Sequence, residues 1–222
     1  MPVPLNLAYL KALNLAASRE ETRYYLNGVS VEIGADAIDY CATDGHILLA
    51  AHQQLDAADN SSPPTIGTWI IPSWVIDKFK LPTHGPKVLL FTKGERLSAT
   101  LAQLGYGAIT FIVIDGTFPS WRHVLPSSSE YETALGGGRG SAVDNERYDF
   151  PPEQLVRLDK AGRLTDAGAP AVIARGSAPA IVSYSSSELV GCIMPRVKKR
   201  WGLERGPLPA WVKAQAPHLR NA

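Results

Sequence analysis

The predicted secondary-structure elements occur in a repeated order, and this repeat limits the possible folds more than any other feature of the sequence. Apolar residues at helical spacing predict a helix over residues 7–18, with Asn6 as its N-cap, and three β-rich runs follow it. After the break at NSSPPT we predict a strand at GTWIIP, a short helix at PSWVIDKFKL and three further strands. We interpret both units as a strand, a helix and three strands.

A third unit follows a segment of different composition. The runs SSS and LGGGRG predict a flexible linker over residues 127–147. Beyond it, RYDFP, PPEQLVRLDKAGRL and three apolar runs repeat the order of strand, helix and strands over residues 148–197. We therefore predict a two-unit domain over residues 1–126, the linker, a single third unit and a basic, Pro/Gly-rich tail over residues 198–222.

Composition excludes several classes of protein. With 222 residues, 45% of them hydrophobic and 19% charged, the chain is expected to fold as a globular protein. No apolar run reaches the roughly 20 residues that a membrane helix needs, and the N-terminus lacks the pattern of a secretory signal, so we expect a cytoplasmic location. The formal net charge of +1 means that binding to nucleic acid must depend on local clusters of charge. Cys41 and Cys192 lie in strand-like runs without C-x-x-C spacing, which predicts reduced, buried thiols.

The segment YCATDGHILLA places Asp44 and His46 between two apolar runs. Asp-Gly is favoured in two-residue hairpin turns because both central residues need a positive φ, so we predict a turn centred on Asp44 and Gly45. One carboxylate and one imidazole are too few for a zinc site, which needs at least three protein ligands. The segment therefore predicts a hairpin with no metal, no cofactor and no catalytic residue.

Five segments resemble the bacterial DNA polymerase III beta subunit family, the sliding clamps, in their order and spacing. They are TRYYLNGVSVE, ATDGHILLA, IIPSWVI, FIVIDGTFPSWRHVLP and CIMPRV, and the resemblance covers about residues 5–126 and 148–197. It implies the DNA clamp fold, an α+β fold whose repeated strand-helix-three-strand units place helices on one face of antiparallel sheets. It also implies a protein that is not an enzyme. A ring around duplex DNA works by topology, since weak, sequence-independent phosphate contacts allow it to slide.

The resemblance implies that the helices line a central hole and carry modest positive charge toward DNA. The implied DNA-binding residues are basic residues in the three helix regions and an RYY segment that lies near DNA in the family: Lys11, Arg19, Arg23, Tyr24, Tyr25, Lys78, Lys80, Arg157 and Lys160. Acidic neighbours partly offset this charge, so a solvated polar face is the alternative for any one helix. For Tyr24 and Tyr25, whose context favours a strand, the alternative is packing and hydrogen bonding within a sheet.

The resemblance also implies an apolar pocket that accepts short peptides from DNA polymerases and clamp loaders. The residues that match its motifs are Thr43, Gly45, His46, Leu48, Pro119, Val124 and Met194. A methionine-lined groove suits varied peptides because methionine repacks at low cost. The alternative for the three apolar side chains, Leu48, Val124 and Met194, is ordinary core packing. Ile47 stands where the family has a basic residue and His123 where arginine is common, which weakens the expected contact with acidic peptide groups.

The number of units departs from the family, in which each subunit has six units and two subunits close a ring of twelve. This chain has three, so the same ring would need four copies, with the third unit of one copy pairing with the third unit of another. We expect a homo-oligomeric processivity factor for DNA replication. Two alternatives stay open: an adaptor that binds the same peptides without forming a ring, and an unrelated hydrolase that uses Asp44 and His46. The tail, with Trp201, Leu208 and Trp211, is expected to bind DNA, to fill a neighbouring copy's pocket or to stay disordered.

Overall fold

Each of the three units contains a helix followed by antiparallel strands in this computed structural model, which describes residues 2–55, 66–125, 148–175 and 178–197. The first unit contains β1 (Val3–Asn6), α1 (Leu7–Leu13), β2 (Gly28–Ile33), β3 (Ala37–Thr43) and β4 (Ile47–Gln54). The second contains β5 (Gly67–Pro72), α2 (Ser73–Lys78), β6 (Val88–Lys93), β7 (Ser98–Gln103) and β8 (Gly107–Ile112). The third contains β9 (Tyr148–Asp149), α3 (Pro152–Leu164), β10 (Ala171–Arg175), β11 (Ala178–Ser183), β12 (Leu189–Ile193) and β13 (Arg196–Val197). The predicted order of elements is confirmed, and the predicted linker and tail lie outside the described residues.

The sheets are antiparallel and cross the boundaries between units. Strand β1 pairs with β6, which gives a four-stranded sheet of order β1-β6-β7-β8. Strand β5 pairs with β2 of the first unit, and β12 of the third unit pairs with β4. The result is a seven-stranded sheet of order β10-β11-β12-β4-β3-β2-β5. The third unit therefore extends the sheet of the first, and the end of β12 lies beside the β3–β4 hairpin.

Helix α1 begins where it was predicted to begin but is shorter. The side chain of Asn6 accepts hydrogen bonds from the amides of Ala8 (2.9 Å) and Tyr9 (3.3 Å), which is the expected N-cap. The helix ends at Leu13, and the amide of Ala16 donates to the carbonyl of Leu13 in a tighter turn (2.7 Å). The prediction of helix as far as residue 18 is wrong because the apolar spacing beyond Leu13 reflects burial in a compact turn, not continued helix.

Tyr24 and Tyr25 do not belong to a strand. They lie in the 3-10 segment Glu21–Leu26, and β2 begins only at Gly28. The Tyr24 side chain is 55% exposed, and its ring meets that of Tyr25 edge-on with 5.8 Å between centroids. The predicted β-rich run from Tyr24 is therefore wrong at its start, because the chain must first turn from α1 into the sheet.

Both faces of strand β4 are buried from Ile47 to Ala51, which explains the continuous apolar sequence of this part. Ile47 and Leu49 point into the main core, which includes the apolar side of α1. Leu48 points to the opposite side, into a smaller cluster with Cys41 and Cys192. Both cysteines are buried, as predicted, and burial raises the pKa of the Cys41 thiol well above its ordinary value.

Alkaline pH is expected to destabilise the fold through Tyr40. Its side chain is fully buried, its hydroxyl accepts from the amide of Asn6 (3.1 Å), and burial raises its pKa well above the ordinary value. The unfolded chain loses this proton above about pH 10 while the folded protein keeps it, so the free energy of unfolding should fall there by about 1.4 kcal/mol per pH unit for one tyrosine. Denaturant titrations below and above about pH 10 measure this slope. The Tyr40→Phe variant should show a shallower slope, and equal slopes would contradict the assignment.

Candidate functional site

An apolar cavity of about 370 Å³ opens where the third unit meets the first. It lies between the β3–β4 hairpin, the segment from Pro119 to Val124 and the chain just after β12. The structure brings all the residues implied for the pocket together on its walls: Thr43, Gly45, His46, Leu48, Pro119, Val124 and Met194. The wall residues that sequence reasoning did not name for this pocket are Leu26, Ile47, Ser120, Trp121, Pro179 and Cys192.

The hairpin turn is centred one residue later than predicted, on Gly45 and His46. Thr43 is opposite Leu48, and the amide of Asp44 faces the carbonyl of Ile47 at 3.4 Å. Gly45 has a φ of +89°, and it alone of the central pair is in the positive-φ region. The predicted positive φ at Asp44 is therefore wrong.

Asp44 has a different role, because it caps the turn from the preceding position. Its Oδ1 atom accepts hydrogen bonds from the amides of His46 (2.8 Å) and Ile47 (2.9 Å). The Thr43 hydroxyl accepts from the amide of Gly45 (3.0 Å) and donates to the carbonyl of Ile47 (2.7 Å). Since most polar groups of the turn are bonded within it, the hairpin presents a pre-formed wall to the cavity.

Trp121 forms part of the cavity wall and is the most important residue that sequence reasoning missed. Its side chain is 8% exposed, and its indole Nε1 donates to Oε1 of Glu32 (2.9 Å). The guanidinium of Arg122 lies 4.3 Å from the centroid of the indole ring and also donates to Glu32 (2.7 Å). A signal was present in the sequence, because Trp121 lies within the segment FPSWRHVLP that identified Pro119 and Val124.

The apolar residues of the wall differ in burial. Leu48 is 4% exposed and belongs to the core cluster around Trp121, so it both packs in the core and lines the cavity. Val124 is 43% exposed and Met194 is 40% exposed. Ordinary core packing therefore does not account for these two, which form a rim that is open to solvent.

A second, larger cavity of about 660 Å³ also borders the segment Pro119–Trp121. It shares Pro119, Ser120 and Trp121 with the first cavity. Its remaining wall includes Trp69 and Leu97, together with charged residues. The segment Pro119–Trp121 thus borders both cavities.

The basic residues implied for DNA binding are either exposed without a described partner or engaged within the protein. Exposed side chains without a described partner within the protein are Arg19, Lys78, Lys80 and Lys160. Lys11 is only partly exposed, and burial lowers its pKa. Arg23 binds Glu20 through two hydrogen bonds (2.8 and 2.6 Å) and packs over Gly45, while Arg157 binds Asp44 (2.7 Å). Since α1 contacts both α2 and α3, the three helices lie together, and of the exposed cations Lys78 lies on α2 and Lys160 on α3.

Two further properties concern only the part of the chain that the structure describes. In it, no cluster of three or more histidine, cysteine, aspartate or glutamate side chains is arranged to hold a metal ion. No helix within the same residues is long and apolar enough to cross a membrane.

Comparison with known proteins gives a consistent family match. The family described as "DNA polymerase III beta subunit, central domain" matches residues 7–120. The beta sliding clamp of Vibrio cholerae is 27% identical over 157 residues, which are 66% of this chain and 41% of that protein. The beta sliding clamp of Caulobacter vibrioides is 32% identical over 121 residues, which are 50% of this chain and 30% of that protein. The chain thus spans well under half the length of these curated relatives.

Solved structures of the same class share the fold. The DNA polymerase sliding clamp from Bacillus subtilis superimposes with a TM-score of 0.64 at 14% identity, over 88% of this chain and 64% of that chain. The pol III beta structure from Caulobacter crescentus has a TM-score of 0.61 at 20% identity, over 88% of this chain and 65% of that chain. At these identities the structural similarity establishes the DNA clamp fold and nothing more.

Proposed function

The chain belongs to the DNA polymerase III beta subunit family, and we propose that it acts as a sliding clamp in DNA replication. In this proposal it has no enzymatic activity and needs no cofactor. It encircles duplex DNA in the cytoplasm without regard to sequence, and it tethers polymerases and clamp loaders through the apolar cavity. The observation that carries the proposal is the cavity, because residues from three separate segments meet there in one apolar wall.

The cavity has the features of a site for a short apolar peptide motif. Its inner surface is formed by Leu48 and Trp121, which are largely buried, and its rim by Val124 and Met194, which are accessible. Aromatic and aliphatic anchors in a pocket of this kind supply most of the affinity of small interfaces. Gly45 also lines the cavity, and its lack of a side chain leaves room for the guanidinium of Arg23.

Titration of labelled peptides with the full chain tests the tethering role. Peptides from bacterial polymerases and clamp loaders that contain adjacent apolar residues should bind at one saturable site per chain, measured by fluorescence anisotropy. Shuffled peptides of the same composition serve as the control. Failure of every polymerase and clamp-loader peptide to bind would contradict the tethering role.

The proposed DNA contact rests on the exposed lysines of the helix group, such as Lys78 and Lys160. Few cations are available, because several neighbours are engaged within the protein. Weak contact is suited to a ring, since encirclement prevents dissociation and loose phosphate contacts allow movement along the duplex. We therefore infer weak, salt-sensitive binding with no base readout.

Ring closure is the part of the proposal that depends on several copies. Within the described residues, the outer strands of the four-stranded sheet (β1 and β8) and of the seven-stranded sheet (β10 and β5) each pair on one side only, so these two sheets have open edges. Open edges are templates for pairing with another chain. With three units per chain, four copies would complete the ring, and third units of two copies would pair.

Light scattering decides between this ring and the alternative of an adaptor that binds peptides without encircling DNA. The ring predicts a particle of four times the 23.9 kDa chain mass. A strict monomer at micromolar concentration that still binds peptides would support the adaptor. In that case the open sheet edges would not pair with another copy.

A further inference from the structure

Arg157 joins three parts of the molecule through one side chain. It lies on α3, its Nη1 atom is 2.7 Å from Oδ2 of Asp44 in the hairpin, and its Nε donates to the carbonyl of Leu15 just after α1 (2.5 Å). Only 30% of the Arg157 side chain and 16% of the Asp44 side chain are exposed. For comparison, the ion pair of Arg163 with Asp159 on the same helix is 76% and 37% exposed. Solvent therefore screens the Arg157 pair less than the second pair.

The Asp44 carboxylate connects Arg157 to the wall of the cavity. Its Oδ2 atom faces Arg157, while its Oδ1 atom accepts from the amides of His46 (2.8 Å) and Ile47 (2.9 Å). Bonds from backbone amides to a carboxylate that is fixed by a cation are among the stronger hydrogen bonds in proteins. Arg157 thus fixes the acceptor that shapes the turn.

The third unit holds the turn from a second side as well. The amide of Met194, just after β12, donates to the carbonyl of His46 (2.8 Å). The hairpin is therefore bound through Asp44 by α3 and through His46 by the chain that follows β12. Since Gly45, His46 and Met194 all line the cavity, its shape depends on how the third unit is seated.

We propose that Arg157 is a positioning residue of the peptide cavity, which holds the β3–β4 turn in its peptide-binding geometry and couples the α1–α3 helix pair to that cavity. The proposal rests on the proposed function, because it assigns a role within the peptide site. It also removes Arg157 from the set of DNA-contacting residues, where the family resemblance had placed it. Lys160, one helical turn further along α3, keeps an exposed side chain and stays in that set.

Two matched variants separate these roles, because Arg157→Met and Lys160→Met each remove one positive charge from α3. Arg157→Met should weaken peptide binding about tenfold, since it removes the cation that binds the Asp44 carboxylate directly, and should leave DNA affinity within about twofold. Lys160→Met should leave peptide affinity unchanged and weaken DNA binding. It should also lower the salt dependence of DNA binding by about one phosphate contact. Equal effects of the two variants on peptide binding would overturn the proposal.

A double-mutant cycle tests whether Arg157 acts through Asp44. In the Asp44→Asn background, Arg157→Met should change peptide affinity by less than about twofold, because the partner charge is already absent. A full additive loss would overturn the proposal, since Arg157 would then act on the peptide by another route. Arg157→Lys keeps the charge but cannot bind Asp44 and the carbonyl of Leu15 with one planar group. It should therefore lose part of the peptide affinity.

Amide hydrogen exchange at the turn gives a readout that does not depend on any peptide. In Arg157→Met the amides of His46 and Ile47 should exchange about tenfold faster than in the unaltered protein and in Lys160→Met. Unchanged exchange at these amides in a folded Arg157→Met or Arg157→Lys protein would overturn the proposal. If the unaltered chain bound no peptide, the proposed function would fail, while the exchange experiment would still decide whether Arg157 positions the turn.

Discussion

Replacing Trp121 with alanine is expected to lower the free energy of unfolding by about 3–5 kcal/mol and to abolish peptide binding. The indole is 8% exposed and packs with Leu48 and Cys192. Its removal would leave a void in this cluster and would leave Glu32 without the bond from the indole N–H. The same ring lines both cavities, so its removal would change the wall of each. Urea denaturation measures the stability, and anisotropy titration measures the binding.

The chain offers a matched control on α2. Trp74 is 55% exposed, so Trp74→Ala removes the same side chain from the surface and should change the stability by no more than about 0.5 kcal/mol. Peptide binding should be unaffected, because Trp74 does not line the apolar cavity. Comparable losses of stability in the two variants would show that Trp121 contributes no more to the core than an exposed tryptophan does.

The double variant Val124→Asp with Met194→Glu is expected to weaken peptide binding more than about a hundredfold while leaving the fold intact, because a bound apolar side chain would have to desolvate two carboxylates. Val124 and Met194 are 43% and 40% exposed, so in the free protein both new charges stay hydrated. The expected change in unfolding free energy is therefore within about 1 kcal/mol.

Val88→Glu is the control for this experiment. Val88 is 38% exposed on β6, which matches the exposure of the rim residues but lies away from the cavity. The Val88→Glu substitution should leave peptide affinity unchanged. If the double variant at Val124 and Met194 bound peptides as well as Val88→Glu does, the cavity would not be the peptide site.

The fold was predictable because each unit carries its own periodic signal. Asn6 marked the start of α1, and alternating or continuous apolar runs marked strands β2 to β4. The end of α1 was not predictable, because Ala16 and Ala17 are buried although they lie beyond the helix. Their apolar side chains therefore continue the helical pattern past its end. The exchange of β1 and β5 between units is a tertiary pairing that periodicity does not encode.

The candidate site was predictable from motifs but its polar contacts were not. The resemblance of short segments placed seven residues on what proved to be one cavity wall. Trp121 lay within one of these segments, whereas Pro179 had no signal because it reaches the cavity only through the pairing of β11 with β12. Arg157 and Asp44 are far apart in sequence, and an arginine on a helix gives no sign of whether it faces DNA or an aspartate of another unit.

Retention of the protein on circular DNA at high salt tests encirclement most directly. The purified chain is allowed to assemble with nicked circular duplex DNA and is then washed at about 1 M salt, where contacts with phosphates are largely lost and only encirclement holds it. A protein that encircles DNA should stay on the circle and leave once a restriction enzyme cuts it. Loss from the intact circle, or equal retention on circular and linear DNA, would contradict encirclement.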